Sequence, residues 1–262
     1  MDLNKINTRA PKHLDKEETK QKTTEMVLKM RWYQQMMFAQ KKYSILIVFQ
    51  WMDAAGKDNA IKKVFSGLNP LGCDAVAFGK PTTEEYAHDF LRRVHQHAPA
   101  KWMVQIFNRS YYEDILVPTV EWLFPAKKIK ERYDDINNFE KLLIDNDTII
   151  LKFFLHISPE KQKEKLEERL ELRRKFWKFD PSDLDAREKR DEYQKVYHKI
   201  FDTCNLAERN VIPADQKRYK NYLITKTIID AFESEMKLKR PDMQEEHKKN
   251  EDEYKKILKK SV

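Results

Sequence analysis

Residues 44–59 read SILIVFQWMDAAGKDN, and they restrict the fold more than any other stretch of the chain. SILIVF is a continuous apolar, β-branched run, the pattern of a strand buried on both faces. A loop of small residues follows, Asp53-Ala54-Ala55-Gly56, then Lys57, then the amphipathic helix pattern AIKKVFSGL. Strand, loop, Gly-Lys and helix in that order are the layout of a phosphate-cradling P-loop. In such a loop the backbone N–H groups of Ala54, Ala55, Gly56, Lys57, Asp58 and Asn59 point at a phosphate, and Lys57 adds a compact positive charge. The four glycines, Gly56, Gly67, Gly72 and Gly79, lie within or just after this segment. The match to GxxxxGK[ST] is partial. Trp51 stands at the first Gly position, and Asp58 stands where a hydroxyl residue usually ligates Mg²⁺.

Strand and helix patterns alternate through the rest of the chain. Strands are predicted at 73–78, 102–107, 148–157 and 209–215. Helices are predicted over 15–42, from a capping box at Thr82 to about His97, over 111–123 and 130–145, and over 217–237. Ser158 and Pro159 start a further charged helical stretch that runs to about 204, with a break near Phe179-Asp180-Pro181. This alternation predicts an α/β fold, a three-layer arrangement with a parallel sheet of about five strands covered on both faces. The chain reads as one domain: a leading helix (15–42), a phosphate-handling core (43–157), a charged helical region (158–204), a last strand and helix (205–240), and a polar tail (241–262). The tail carries six lysines against six acidic residues and is open between a final helix and a frayed end.

Fifty-one Lys and Arg against 43 Asp and Glu give a net charge of +8, a balance that suits a polyanionic ligand. The two signs are interspersed, however, as on any solvated mixed-charge surface. No apolar run approaches the roughly 20 residues that span a bilayer. The first 20 residues lack the apolar core of a signal peptide, so no membrane partner is expected and a cytoplasmic setting is. Cys73 and Cys204 show no metal-ligand spacing, and the histidines read as packing or surface residues. Beyond basic charge there is no nucleic-acid motif.

The segments FQWMDAAGKDNAIKKV, KPTTEEYAHDFLRRVHQHAP, IFNRSYYEDILV, NNFEKLL, TIILKFFLHISPEKQ and VIPADQKRYKN follow one another in this order. Together they resemble the polyphosphate kinase 2 family, enzymes that move phosphate between inorganic polyphosphate and nucleotides. The resemblance spans about residues 15–235. It implies a P-loop kinase-like fold similar to that of thymidylate kinases, with region 158–204 as a basic helical lid. It also implies a need for Mg²⁺, assembly as a dimer or tetramer, and polyphosphate, AMP, ADP and ATP as substrates and products. Two other readings share the scaffold: an ATP-using nucleoside monophosphate kinase, and a non-catalytic polyanion-binding protein with a degenerate loop. Trp51 and Asp58 count against the first, and the set Asp53, Lys57, Arg109 and Glu113 counts against the second.

Within that resemblance Asp53, Lys57, Arg109 and Arg169 are the expected catalytic residues. Lys57 holds the phosphate in flight. A carboxylate beside phosphates is repulsive unless a cation lies between them, so Asp53 reads as a Mg²⁺ ligand, with an Asx-turn role as the alternative. Arg109 ends the third strand, at the carboxyl edge where α/β sheets collect ligands, and is placed to neutralise the transferring group. Glu113 is expected to hold metal or orient the nucleotide, or to be only a favourable first-turn charge. Lys80, Arg93 and Asn108 are expected nucleotide contacts. Arg169 is the lid arginine, with Arg173, Arg174 and Lys178 as further phosphate contacts. Tyr111 and Tyr112 read as packing residues. Relatives directed to ADP tend to carry Asp and Asn where this chain has Asn108 and Glu113, so the stretch NRSYYED resembles the subgroup that accepts AMP as well as ADP. Trp51 is expected to pack beside the loop.

Overall fold

The computed structural model describes residues 3–239, 242 and 245–260. After an opening 3₁₀ turn, helix α1 (Lys16–Gln40) starts at Asp15, whose side chain accepts from the Glu18 amide. Strand β1 (Ser44–Gln50) follows and is buried at every position. The loop then leads into α2 (Lys57–Val64), and a 3₁₀ turn leads into β2 (Cys73–Ala77). The expected capping box forms at Thr82 with Glu85, but the helix it starts, α3, covers only Thr83–Tyr86. Asp89 accepts from the Leu91 amide, an Asx turn that diverts the chain before α4 (Arg92–His95). The single helix predicted to His97 is therefore two short ones.

Strand β3 (Val104–Asn108) precedes α5 (Glu113–Val120) and α6 (Ala126–Asp145), and β4 (Thr148–His156) follows. Ser158 caps α7 (Pro159–Glu171), with Pro159 at its first position. The predicted break comes earlier than Phe179. The chain leaves the helix at Leu172 and forms a 3₁₀ segment, Arg173–Lys178, before α8 (Ser182–Glu188) and α9 (Arg190–Thr203). Strand β5 (Arg209–Pro213) and α10 (Lys217–Ser234) complete the core. Two helices, α11 (Glu245–Lys248) and α12 (Glu251–Lys260), lie among the described residues of the tail.

The five strands are all parallel, in the order β2-β3-β1-β4-β5. Parallel strands need covered faces, and two helix groups supply the cover. Helix α10 packs on both α1 and α2, α5 packs on both α6 and α9, and both α10 and α6 reach β4. The core runs through Ile45, Ile47, Phe49, Ile106, Phe107, Phe153 and Leu155, with Phe49 stacked on Phe153 at 5.4 Å. From β1 the chain crosses to β2 and β3 on one side and later to β4 and β5 on the other. The carboxyl end of β1 is thus a topological switch point, where such sheets open a crevice.

Candidate functional site

The loop after β1 sits in this crevice, and its backbone is strained. Trp51 (φ 114°) and Ala54 (φ 67°) have positive φ, and Gly56 (φ 87°) does so where it caps α2. Non-glycine residues held in this region cost about 1–3 kcal/mol each and cluster at ligand sites. A side chain at Gly56 would also meet Lys220 Nζ at 2.6 Å.

The register of β1 on β3 places Phe49 beside Asn108, and the Arg109 amide donates to Phe49 O at 3.0 Å. Arg109, itself at φ 65°, is thereby aimed across the loop and donates to the Asp53 carboxylate at 2.6 Å. Lys57 is buried and donates to Trp51 O at 2.6 Å, with its ammonium 3.7 Å from Asp53. Burial raises the Asp53 carboxyl, but Lys57 and Arg109 together outweigh it and hold the group well below the usual carboxylate range. Burial pulls the Lys57 ammonium down, opposed chiefly by Asp53. Glu113 opens α5. Burial raises its carboxyl, against the attraction of Arg109 and Lys57. Asp53, Lys57, Arg109 and Glu113 are therefore one electrostatic unit.

Other expected residues are placed differently. Asp58 accepts from Asn108 Nδ2 at 3.0 Å and pairs with Lys178 at 3.2 Å, so its side chain bridges the core and the lid. Asn59 begins the same helix half-buried. Arg93 is buried and clamped: it donates to the Asp114 carboxylate at 3.1 Å and to Gly79 O at 3.0 Å, which fixes the shape of the pocket wall. Lys80 is exposed at the pocket edge. Arg169 pairs with the buried Asp183 and donates to Lys178 O, so it braces the lid. Arg173 and Arg174 are exposed on the 3₁₀ segment. Tyr111 and Tyr112 are packed, and both hydroxyls donate to the buried Glu140, which pairs with Lys152.

Three residues that sequence reasoning passed over also meet the loop. Gln162 donates to Asp53 O at 3.2 Å, Lys165 to Ala54 O at 3.2 Å, and Lys220 to Gly56 O at 2.6 Å. A fourth, Asp183, lies close enough to Asp53 that burial and Asp53 push its carboxyl up to about 6, against Arg169. Gln162 and Lys220 fall inside the SPEKQ and RYKN segments, but nothing in those strings separates them from their neighbours.

Beside the loop lies a cavity of about 720 Å³, walled by Trp51, Phe78, Arg109, Glu113, Phe124 and Tyr193 among others. Trp51 packs on Phe154 at 4.4 Å and Tyr197 at 5.1 Å, which places the indole beside the loop. The arrangement offers two cations and two carboxylates at one edge of a partly apolar pocket, the equipment for handling a phosphorylated small molecule. Among the described residues no group of three His, Cys, Asp or Glu could hold a metal ion alone, and no helix is long and apolar enough to cross a membrane.

A parallel sheet with a P-loop after β1, an arginine just after β3 reaching that loop, and helix α7 packed against it define a phosphotransferase of the P-loop kinase type. The sequence profile described as polyphosphate kinase 2 matches residues 13–240, and the chain belongs to that family. It is 43% identical over 202 residues to an AMP/ADP-polyphosphate phosphotransferase of Meiothermus ruber, covering 76% of each chain. It is 34% identical over 223 residues to an ADP-polyphosphate phosphotransferase of Rhodopseudomonas palustris, covering 80% of this chain and 77% of that one. Its structure is similar to the crystal structure of polyphosphate kinase 2 from Arthrobacter aurescens, with a TM-score of 0.90 and 29% identity over 99% of this chain and 93% of that one.

Proposed function

We propose that this kinase transfers the terminal phosphoryl group of inorganic polyphosphate to ADP and AMP, taking either to ATP. The observation that carries the reading is the convergence of Asp53, Lys57, Arg109 and Glu113 at one edge of the pocket. The names of the relatives above supply the substrate class. A terminal phosphate oxygen of the acceptor attacks the end phosphorus of the donor. The bridging P–O bond breaks, and the shortened polyphosphate leaves with the electron pair. Phosphoryl transfer asks the protein mainly for position and charge. Lys57 and Arg109 neutralise the equatorial oxygens, and the strained loop presents its N–H groups. The lid, braced by Arg169, excludes water.

The donor set fits Mg²⁺. This ion keeps several waters and needs only one or two carboxylates beside substrate phosphates, so a three-residue cage is not required. Asp53, kept ionised, would hold it, with Glu113 within electrostatic reach and Asp183 close by. When bound, Mg²⁺ would screen phosphate charge from these carboxylates. Asp58 is engaged by Asn108 and Lys178 and brings no hydroxyl, which counts against an ATP-using nucleoside monophosphate kinase. Assembly as a homo-oligomer, implied by the family resemblance, belongs to the same proposal and is checked by light scattering.

The test is ATP formation by purified protein supplied with Mg²⁺, polyphosphate and either ADP or AMP. Turnover that stops on chelation supports the reading. Transfer from ATP to a nucleoside monophosphate, with none from polyphosphate, would favour the other kinase.

A further inference from the structure

Arg109 and Glu113 stand at the two ends of one short segment, which leaves β3 and enters α5. The backbone of that segment is held along its length. The Arg109 amide donates to Phe49 O. The Ser110 hydroxyl accepts from Gln50 Nε2 at 2.7 Å and from the Tyr112 amide at 3.2 Å. At the far end Arg132 donates to Asp114 O. Tyr112 precedes α5 without a side-chain cap, so the direction in which the helix starts depends on what holds residues 111 and 112.

A buried carboxylate holds them. The hydroxyls of Tyr111 and Tyr112, neighbours in sequence, both donate to Glu140 Oε1, at 2.9 and 2.6 Å. Glu140 Oε2 accepts from Lys152 at 2.8 Å, and Lys152 also donates to Cys204 O at 3.1 Å. The Glu140 side chain is 0% exposed and that of Lys152 4%. They come from α6 and from β4, where Lys152 is the register partner of Val48 on β1. None of Tyr111, Tyr112, Glu140 and Lys152 lines the cavity.

Stability does not account for this network. Buried ion pairs can often be exchanged for apolar side chains of similar volume with no loss, and phenylalanine would fill the space of either ring. What such an exchange gives up is direction. Apolar contacts let a ring slide, whereas two hydroxyls on one oxygen fix both rings and the backbone between them. Arg109 depends on that, because its φ of 65° is strained, and a strained residue keeps its conformation only where its surroundings over-determine it.

We propose that Glu140, held by Lys152, is a positioning residue for phosphoryl transfer. Through the hydroxyls of Tyr111 and Tyr112 it fixes the segment that aims Arg109 at the transferring group and sets Glu113 on the cavity wall. It touches no substrate itself. This inference rests on the phosphotransfer reading above.

The test compares the parent with three double variants. Tyr111→Phe/Tyr112→Phe removes both hydroxyls and keeps the rings. Glu140→Leu/Lys152→Met removes the acceptor and both charges. Glu140→Gln/Lys152→Met removes both charges but leaves an amide oxygen to accept from the tyrosines. Measured are kcat, KM for polyphosphate and for ADP, and urea unfolding. The first two variants are expected to lower kcat roughly 10–100-fold, the scale of a small misplacement of a catalytic group, with each KM within about twofold of the parent and the protein fully folded in the assay. The third should hold kcat within about threefold of the parent, because its amide oxygen accepts the same hydrogen bonds. Parent-like kcat in the tyrosine variant overturns the proposal, and so does a loss that tracks the fraction unfolded, the mark of a purely structural network. Equal kcat in the two Glu140 variants also overturns it, since the acceptor oxygen would then be irrelevant. If Glu140→Leu/Lys152→Met fails to fold, the tyrosine variant decides alone. A parent that transfers from ATP and not from polyphosphate removes the functional reading, and the same variants are then scored with ATP as the donor.

Discussion

Arg109 donates to the Asp53 carboxylate at 2.6 Å, although the two stand on loops after different strands. The contact is set by the sheet. Phe49 and Asn108 are register partners, and Phe49 O holds the Arg109 amide, so the arginine can only leave the strand toward the loop. Its positive φ is the cost of that direction. Lys57 and Arg109 together outweigh burial and keep Asp53 ionised into acid, and the pair fixes the guanidinium beside the loop.

Asp53→Asn and Lys57→Ala are expected to lower kcat on the order of 10³-fold each, the scale of losing one charge that clamps a transferring phosphoryl group. For Asp53→Asn melting should move by no more than about 4 °C, because this half-buried side chain does not fill the core and the substitution keeps its size. Steady-state kinetics beside thermal melts check this. Near-parent turnover in both variants would remove these residues from the chemistry.

Arg169→Ala belongs to a different class. The sequence groups Arg169 with Asp53 and Lys57 as an expected catalytic residue, but the structure pairs it with the buried Asp183. Removing the arginine leaves that carboxyl buried near Asp53 with its main cation gone. The expected loss is up to about 3 kcal/mol in urea unfolding, in addition to lost activity. The double variant Arg169→Ala/Asp183→Asn should recover most of the stability and none of the turnover. Equal stability of single and double variants would show that the pair does not brace the lid.

Trp51 separates two opposing effects. Its indole is buried against Phe154 and Tyr197, while its φ of 114° suits only glycine. Trp51→Ala loses the burial and keeps the strain. Trp51→Gly loses the burial and releases the strain. The glycine variant should therefore be more stable than the alanine variant by roughly 1–3 kcal/mol, against the simple expectation that deleting an aromatic only destabilises. Chemical denaturation of both variants decides it, and an alanine variant as stable as the glycine one would mean the loop is not strained at this position.

The lysines beside the loop give a pH signature. Lys165 and Lys220 have folded values of about 8 and about 7, below the ordinary lysine value, so between roughly pH 7 and pH 10 the unfolded chain binds more protons. Stability contributed by these groups therefore rises with pH across that window. Lys165→Met, which removes one such group, should show its greatest gain in Tm over the parent near pH 7, shrinking toward pH 10. A gain that is constant with pH would show that Lys165 is not depressed in the folded protein.

The strand–helix alternation and the P-loop were legible because both are local patterns. SILIVF must be buried, and Gly56-Lys57 must turn into a helix. The capping signals at Thr82 and Ser158 were readable for the same reason. What stayed hidden depends on distance across the fold. Lys165 and Lys220 meet the loop 111 and 164 residues away in sequence, in helices where lysine is common. Arg93 reads as a ligand contact, and only the fold shows that Asp114 and Gly79 hold its guanidinium at the cavity wall. The strain at Trp51 and Arg109 leaves no mark on residue type at all.

Glu113 carries the last prediction, the choice of acceptor. AMP must present its α-phosphate where ADP presents its β-phosphate, so the nucleoside sits one phosphate nearer the loop. By the resemblance drawn from the sequence, ADP-directed relatives carry Asp and Asn where this chain has Asn108 and Glu113. The carboxylate thus moves from the end of β3 to the first turn of α5. There it faces the cavity, within the field of Arg109 and Lys57. Asn108, freed of charge, instead donates to Asp58, a contact that an aspartate at that position would turn into repulsion. A carboxylate at the α5 end can hold the metal or orient Arg109 when the shorter acceptor leaves the β-phosphate position empty. Glu113→Asn is expected to lower kcat/KM for AMP at least about tenfold more than for ADP, a difference in transition-state stabilisation near 1.4 kcal/mol. The exchange Asn108→Asp/Glu113→Asn should retain ADP activity better than the single variant. The alternative is that Glu113 is only a helix-start charge, worth about 0.3–1 kcal/mol of stability. In that case both acceptors would lose activity equally, or neither would, and parallel AMP and ADP assays on the three proteins distinguish the two.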